Sequence, residues 1–352
     1  MSARISVVPA DRRRGIPPPT APAATVPPVT DPPLGELRWN PLARRWVAVA
    51  GHRSDRPVDA QPDQPKPDRS IHDPGCPFCP GNEHETLPPV VTRPDGADRP
   101  WRLRVVPNKY PSFSGTAPLP DGPAETAAAS GSCEVVIFTP DHDRDLADCT
   151  PDGAAEFLAV IADRCQAHAQ LPAVAHTSVI VNRGRTSGAS LTHPHAQLLS
   201  TPFVPPTVQV ELDAFAREPG LLVAAITRHP EGVVARHDRA VAVCPRWAGF
   251  PYETGLIPAA ATRSITDASD AELIDVGELL VDVLGRLRRA LGDVDYNVAF
   301  RVPPPHADGP FAWHLQILPR HVPLAGFELS AGVAVNATPA EVAAEHLRSV
   351  SA

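Results

Sequence analysis

The run Thr177-Ser178-Val179-Ile180-Val181-Asn182, a loop from Gly184 to Gly188, and then His193-Pro194-His195-Ala196-Gln197 decides how this chain is read. Residues 177–182 carry the β-branched character of a strand. Pro194 pushes His193 toward an extended backbone. Residues two apart in an extended chain project to the same side. His193 and His195 therefore emerge together, about 6–7 Å apart from the strand rise. One can ligate a metal while the other faces a substrate. A lone His-x-His is weak evidence, because strand histidines are common, so the surroundings have to decide.

Upstream, residues 151–170 place Phe157, Leu158, Ile161 and Cys165 at helical spacing. Arg45–Val49, Trp101–Val106 and Glu134–Phe138 read as short strands, the last two bounded by Pro107 and Pro140. Downstream, Val233–Ala235, Ala240–Val243 and Glu253–Ile257 are strand candidates. Thr266 is a suitable N-cap for a helix to about Leu291, with Leu273, Leu280, Leu284 and Leu287 on one face. Tyr296–Arg301 and Trp313–Leu318 read as strands, and Pro339 opens a terminal helix. Each half thus runs strands, a long helix, then strands. That order predicts an α+β protein of two similar units, with mainly antiparallel sheets flanked by helices. The expected boundaries are 35–206 and 207–352. Residues 1–34, which include Pro17, Pro18, Pro19, Pro27, Pro28, Pro32 and Pro33, are expected to be a disordered tail.

The 352 residues, 43% hydrophobic, suffice for a sizeable core. A net charge of −8 argues against broad attraction to nucleic acid, so a substrate phosphate would need a local group of arginines. No apolar stretch approaches the roughly 18–20 residues that cross a bilayer, and Arg12, Arg13 and Arg14 stand where a secretory signal would be apolar. Of six cysteines only Cys76 and Cys79 are close-spaced, which reads as metal binding or redox chemistry before a disulfide. The expected compartment is the reducing cytoplasm, with no membrane partner.

A thioredoxin-type redox pair normally opens a helix, whereas Pro77, Pro80 and Gly81 indicate a turn that suits zinc. His142, just after a strand, is the third candidate ligand and His193 the fourth. A closed four-coordinate zinc would hold the fold and not activate water. His195 is then free as a nucleophile, its second nitrogen fixed by a hydrogen bond, usually to a backbone carbonyl. Arg53 and Arg56 are candidates for the phosphoryl charge, and Ser190 and Gln197 can donate to the same oxygens.

These motifs, in order from about residue 36 to 350, resemble the galactose-1-phosphate uridylyltransferases of the histidine-triad superfamily. Arg38-Trp39-Asn40-Pro41 through Trp46 and His52-Arg53-Ser54-Asp55-Arg56-Pro57 resemble the opening strand and phosphate-binding arginines. His72–Cys79 with Gly81-Asn82 is similar to the zinc turn, Pro107-Asn108 to a nucleoside-binding loop, and Pro140-Asp141-His142 to the third ligand. Asn182, Gly184 and Gly188–Ser190 lead into His193-Pro194-His195 and Gln197 as the family's active-site strand does.

The resemblance implies zinc, a homodimer, and double displacement through a uridylyl-histidine at His195, moving the group from UDP-glucose to galactose 1-phosphate. Where Gln197 stands, hydrolases of the superfamily often carry a third histidine, so Gln197 favours transfer. The resemblance also implies a second metal, iron or zinc, at Glu211, His306 and His314, although Gln316 replaces one expected histidine. Glu328 resembles a glutamate that contacts sugar hydroxyls, while small residues at Gly332 to Ala334 replace a glutamine. Gln316 and Gly326-Phe327-Glu328 look equally like a branch that phosphorolyses nucleotide sugars such as ADP-glucose. That branch tends to carry a second Cys-x-x-Cys, whereas Cys244 stands alone. A third reading is a zinc-stabilised nucleotide-binding protein without catalysis.

Overall fold

The computed structural model describes residues 35–51, 70–96, 100–121, 125–322 and 324–350. The proline-rich tail expected over 1–34, together with Arg53 and Arg56, lies outside the described residues. A hairpin of β1 (Glu36–Asn40) and β2 (Arg45–Val49) begins the fold. The first half continues with β3 (Val91–Arg93), β4 (Leu103–Pro107) and β5 (Ser132–Ile137), then α1 (Pro151–Ala169), β6 (His176–Arg183) and β7 (His195–Thr201). After α2 (Pro206–Arg217) and α3 (Leu221–Arg228), the order is repeated. It runs β8 (Val233–Arg236), β9 (Ala240–Val243), β10 (Thr254–Pro258), α4 (Asp270–Leu291), β11 (Tyr296–Arg301) and β12 (His314–Pro319). A short α5 (Gly326–Ala331), β13 (Val335–Asn336) and α6 (Ala340–Ser349) complete it.

Ten strands form one sheet in the order β3-β4-β5-β7-β6-β11-β12-β10-β9-β8, every neighbouring pair antiparallel. That order reads the same from either edge, so the halves are related about the β6–β11 seam and α1 matches α4. The α+β class of two similar antiparallel units is thus what the chain adopts. β13 pairs in parallel with β2 outside this sheet, and Glu341 of α6 accepts two 2.8 Å hydrogen bonds from Arg38 of β1. The first and last described elements are thereby tied to each other.

Facing residues on paired strands point to the same side of a sheet. Val136, Ala196, Val181, Leu256, Phe300 and Leu315 face α1 and α4 in the largest core cluster. Val135, Ile137, His195 and Gln197 therefore face the opposite side. In the first half that side is covered by Cys76, Phe78 and Cys79, and in the second by α2 and α3. Polar contacts clamp α1 in place: Arg164 bonds both carboxylate oxygens of Glu134, and His168 Nδ1 lies 2.6 Å from Ser200 Oγ.

Two sequence expectations shift. α4 is capped by Ser269, whose hydroxyl accepts from Glu272, and not by Thr266. Thr266 instead closes a separate short turn on the hydroxyl of Ser264. The terminal helix starts at Ala340, with Pro339 just before it.

α4 approaches α1 closely at Gly277, where an added Cβ would lie 3.0 Å from the Ala155 amide nitrogen. A Gly277→Val substitution is expected to overpack this contact and cost about 1–3 kcal/mol. Urea denaturation measures it, and an unchanged midpoint would contradict the packing described.

Candidate active site

Cys76 and Cys79 lie in a tight turn, in which the Asp73 carbonyl accepts from the Cys76 amide and the Cys76 carbonyl from the Cys79 amide. The amides of Phe78 and Asp73 point at the two sulfurs, each at 3.4 Å. The Phe78 amide favours a Cys76 thiolate, while burial, the larger effect, pushes that thiol up to about 11. A buried pair of thiols with such donors suits a cation that would pay the cost of both charges. His142 Nδ1 lies 3.4 Å and His193 Nδ1 3.5 Å from Cys79 Sγ. The ligand atoms of Cys76, Cys79, His142 and His193 lie within 4.8 Å of one another, and all four residues are buried. This cluster could hold a metal ion.

The other nitrogen of His193 is 2.9 Å from the Thr139 carbonyl, which orients the ring as a second-layer partner does for a metal ligand. The His193 backbone carbonyl in turn lies 2.8 Å from Nδ1 of His195. This fixes the proton of His195 on Nδ1 and leaves Nε2 bare. Burial pushes the His195 pKa below its ordinary value, which keeps the ring neutral. The edge of Phe78 packs on both imidazoles, at 6.0 and 5.3 Å between ring centres.

His195 opens onto a cavity of about 920 Å³, within the range for small-molecule sites. Asn182 and Ser190 line it, as do His142 and the loop from Gly184 to Thr192. Gln197 sits two residues along on the same face of β7 but outside the cavity lining. Asn108 also lies outside it, its side chain accepting from the Tyr110 amide. Gln316 is in the other half, donating to Glu253 at 2.7 Å. Glu328 is at the start of α5, accepting from the Ala325 amide.

The three residues considered for a second metal do not converge. Glu211 accepts from both arms of the Arg301 guanidinium, and His306 is exposed. His314 is buried with Nδ1 3.0 Å from the Ala312 carbonyl. Among the described residues, no metal-capable group includes any of the three. A cation already occupies the carboxylate, and it is an arginine.

Sequence reading missed the residues that hold the cavity's loop, because they come from β11 and its approach, more than 100 positions away. Asn297 donates to the Asn182 side chain at 2.7 Å and to the Ser187 carbonyl at 2.8 Å. Arg320 donates to Asn297 and stacks over Phe250. Asp295 accepts from the Thr186 amide and hydroxyl. It approaches so closely that a Cβ on Gly184 would meet its carboxylate at 1.7 Å, and Gly184 has φ +83°. That loop needs glycine for both reasons. Arg185 lines the same cavity as a further cation.

The chain is similar to known proteins over most of its length. Residues 30–205 match the model of the galactose-1-phosphate uridyl transferase N-terminal domain, and residues 144–351 match a domain of unknown function. An ADP-glucose phosphorylase of Arabidopsis thaliana is 32% identical over 332 residues, covering 90% of this chain and 93% of the relative. A galactose-1-phosphate uridylyltransferase of Thermotoga maritima is 28% identical, covering 70% and 73%. The crystal structure of an Arabidopsis ADP-glucose phosphorylase with bound ADP-glucose superposes with a TM-score of 0.78 at 29% identity, over 90% of this chain and all of that one. The chain belongs to the galactose-1-phosphate uridyl transferase family.

Proposed function

We propose that this enzyme transfers a nucleotidyl group from a nucleotide sugar through His195, with ADP-glucose as donor and inorganic phosphate as acceptor. The carrying observation is the similarity, over nine-tenths of the chain, to the Arabidopsis ADP-glucose phosphorylase. This reverses the order of preference drawn from sequence motifs, which put uridylyl transfer first. The family model and the Thermotoga relative support that second reading, with UDP-glucose and a hexose 1-phosphate.

Nε2 of His195 attacks the α-phosphorus of ADP-glucose. A P–N bond forms and the bond from the α-phosphorus to the bridging oxygen breaks. Glucose 1-phosphate leaves with the bond's electrons, and adenylyl-His195 remains. An oxygen of inorganic phosphate then attacks the same phosphorus, the P–N bond breaks, and ADP leaves with Nε2 bare again. The His193 carbonyl holds the Nδ1 proton and stabilises the positive charge that the ring gains in between. Arg185, Ser190 and the loop amides would meet the phosphoryl oxygens, with Arg53 and Arg56 proposed for the same charge. Gln197 can hold a phosphoryl oxygen but cannot carry a proton, which supports transfer over hydrolysis. Asn108 is proposed for the nucleoside and Glu328 for the sugar end, whereas Gln316, expected at the sugar, borders a separate cavity.

We further propose that Cys76, Cys79, His142 and His193 hold zinc, which would cross-link the turn to β7 and set the position of His195. Residues 35–206 and 207–352 are taken as the two units. A homodimer is supported by the exposed Val322, Leu324, Phe327 and Leu329 around Glu328. No helix among the described residues is long and apolar enough to cross a membrane.

Incubating the protein with labelled ADP-glucose or UDP-glucose alone should leave label on His195 with the preferred donor, and phosphate should release it as the nucleoside diphosphate. Failure of both donors to label the protein would end the covalent reading. Release only by a hexose 1-phosphate would favour the uridylyl reading. A His195→Asn variant should lose turnover by a factor on the order of 10³ or more. Elemental analysis should find one zinc per chain, and Cys76→Ser should lose it. Two zinc equivalents, or unchanged content in that variant, would contradict the assignment. Asn297→Ala should lower kcat by roughly 10–100-fold through misplacement of the 184–188 loop, with KM for the donor less affected. Unchanged kcat would remove its positioning role.

A further inference from the structure

The relation between the two halves can be followed residue by residue. Ala196 of β7 faces Val136 and Val181, and Leu315 of β12 faces Leu256 and Phe300. By that register His314 corresponds to His195, Gln316 to Gln197, and Arg301 to Asn182. The correspondence extends to hydrogen bonding, since His314 Nδ1 lies 3.0 Å from the Ala312 carbonyl as His195 Nδ1 lies 2.8 Å from that of His193. The second half therefore presents another neutral imidazole with Nε2 bare, at the equivalent edge of the sheet. Burial pushes its pKa down to about 4, so it stays an acceptor at neutral pH.

This second edge carries its own cavity of about 330 Å³, separate from the one at His195. His314, Gln316 and the Arg301–Glu211 pair lie on one side of it. Val210 of α2, Leu222 and Ile226 of α3, and Trp247 supply apolar walls, and Arg45 and Arg246 also line it. Nε2 of His314 and the Gln316 amide oxygen have no hydrogen-bond partner among the described residues. Two open acceptors call for a ligand with hydroxyl or N–H donors. The apolar walls and an indole call for a planar ring. Arg45 offers a cation to an anionic group, whereas Arg246 is already paired with Glu36 at 3.6 Å. Arg301, already neutralised by Glu211, contributes little net charge.

We propose that this cavity is a second small-molecule site, which takes a nucleoside monophosphate with its phosphate toward Arg45. The choice of a nucleotide rests in part on the proposed reading that the first half handles one; the cavity and its polar groups do not. No chemistry is assigned to His314, because an ion-paired arginine stands where Asn182 stands in the first half.

The test uses the full-length, zinc-loaded protein with AMP and UMP. Isothermal titration should find two equivalents of the preferred nucleotide per chain. One of them should change tryptophan fluorescence, and Trp247→Phe should abolish that change. Filling the cavity with Ala225→Phe or Val210→Phe should remove one equivalent while labelling of His195 by the nucleotide sugar persists. If Ala225→Phe does not fold, Val210→Phe and the Trp247 signal decide. Should His195 fail to label, the Trp247-reported equivalent should still bind, so the two readings fail separately. A single equivalent with no Trp247-dependent signal for either nucleotide, or two equivalents in a folded cavity-filled variant, would overturn the proposal.

Discussion

The structure depends on one residue facing two ways. His193 turns its ring toward Cys79, with the far nitrogen held by the Thr139 carbonyl, and turns its backbone carbonyl to Nδ1 of His195. The first contact anchors the start of β7 in a buried cluster. The second sets which nitrogen of His195 carries the proton. Imidazole is a useful nucleophile only through an unprotonated nitrogen, so a structural anchor and a chemical requirement meet in a single peptide unit. Pro194 lies between them, and the strand begins only at His195, after a bend at His193 where the sequence suggested extended backbone.

The rest of the first half can be read as support for that unit. Phe78 packs against both imidazole rings and belongs to the same small cluster as Cys76 and Cys79. β11 of the second half pairs with β6 and sends Asn297 to the loop that borders the cavity. Neither half is therefore independent at this site. The repeat that gives the sheet its symmetric order has diverged in its use: the first half gathers two thiols and two histidines, and the second seats an arginine on a carboxylate.

Much of this was legible in the sequence. The Cys-x-x-Cys turn, His142 and the His-Pro-His run carry strong local chemistry, and they do meet. The α+β order followed from hydrophobic periodicity. What escaped was non-local or ambiguous. Thr266 and Ser269 both precede an apolar helical pattern, and only tertiary context made Ser269 the cap. α2 and α3 escaped a helical reading because Pro205, Pro206 and Pro219 break up the stretch and α3 spans only 8 residues. Glu211 looked like a metal ligand, since no local signal pairs it with Arg301, ninety positions away. Asp295 and Asn297 are ordinary polar residues until the β6–β11 pairing brings them to Gly184 and Asn182.

The central claim is that the His193 carbonyl fixes His195 as a neutral imidazole with its proton on Nδ1. Long-range ¹H–¹⁵N correlation spectra of the zinc-loaded protein at neutral pH, with His195 assigned by its loss in His195→Asn, report this tautomer directly. The account predicts a protonated Nδ1 and a bare Nε2. A proton on Nε2, or an imidazolium at neutral pH, would contradict it.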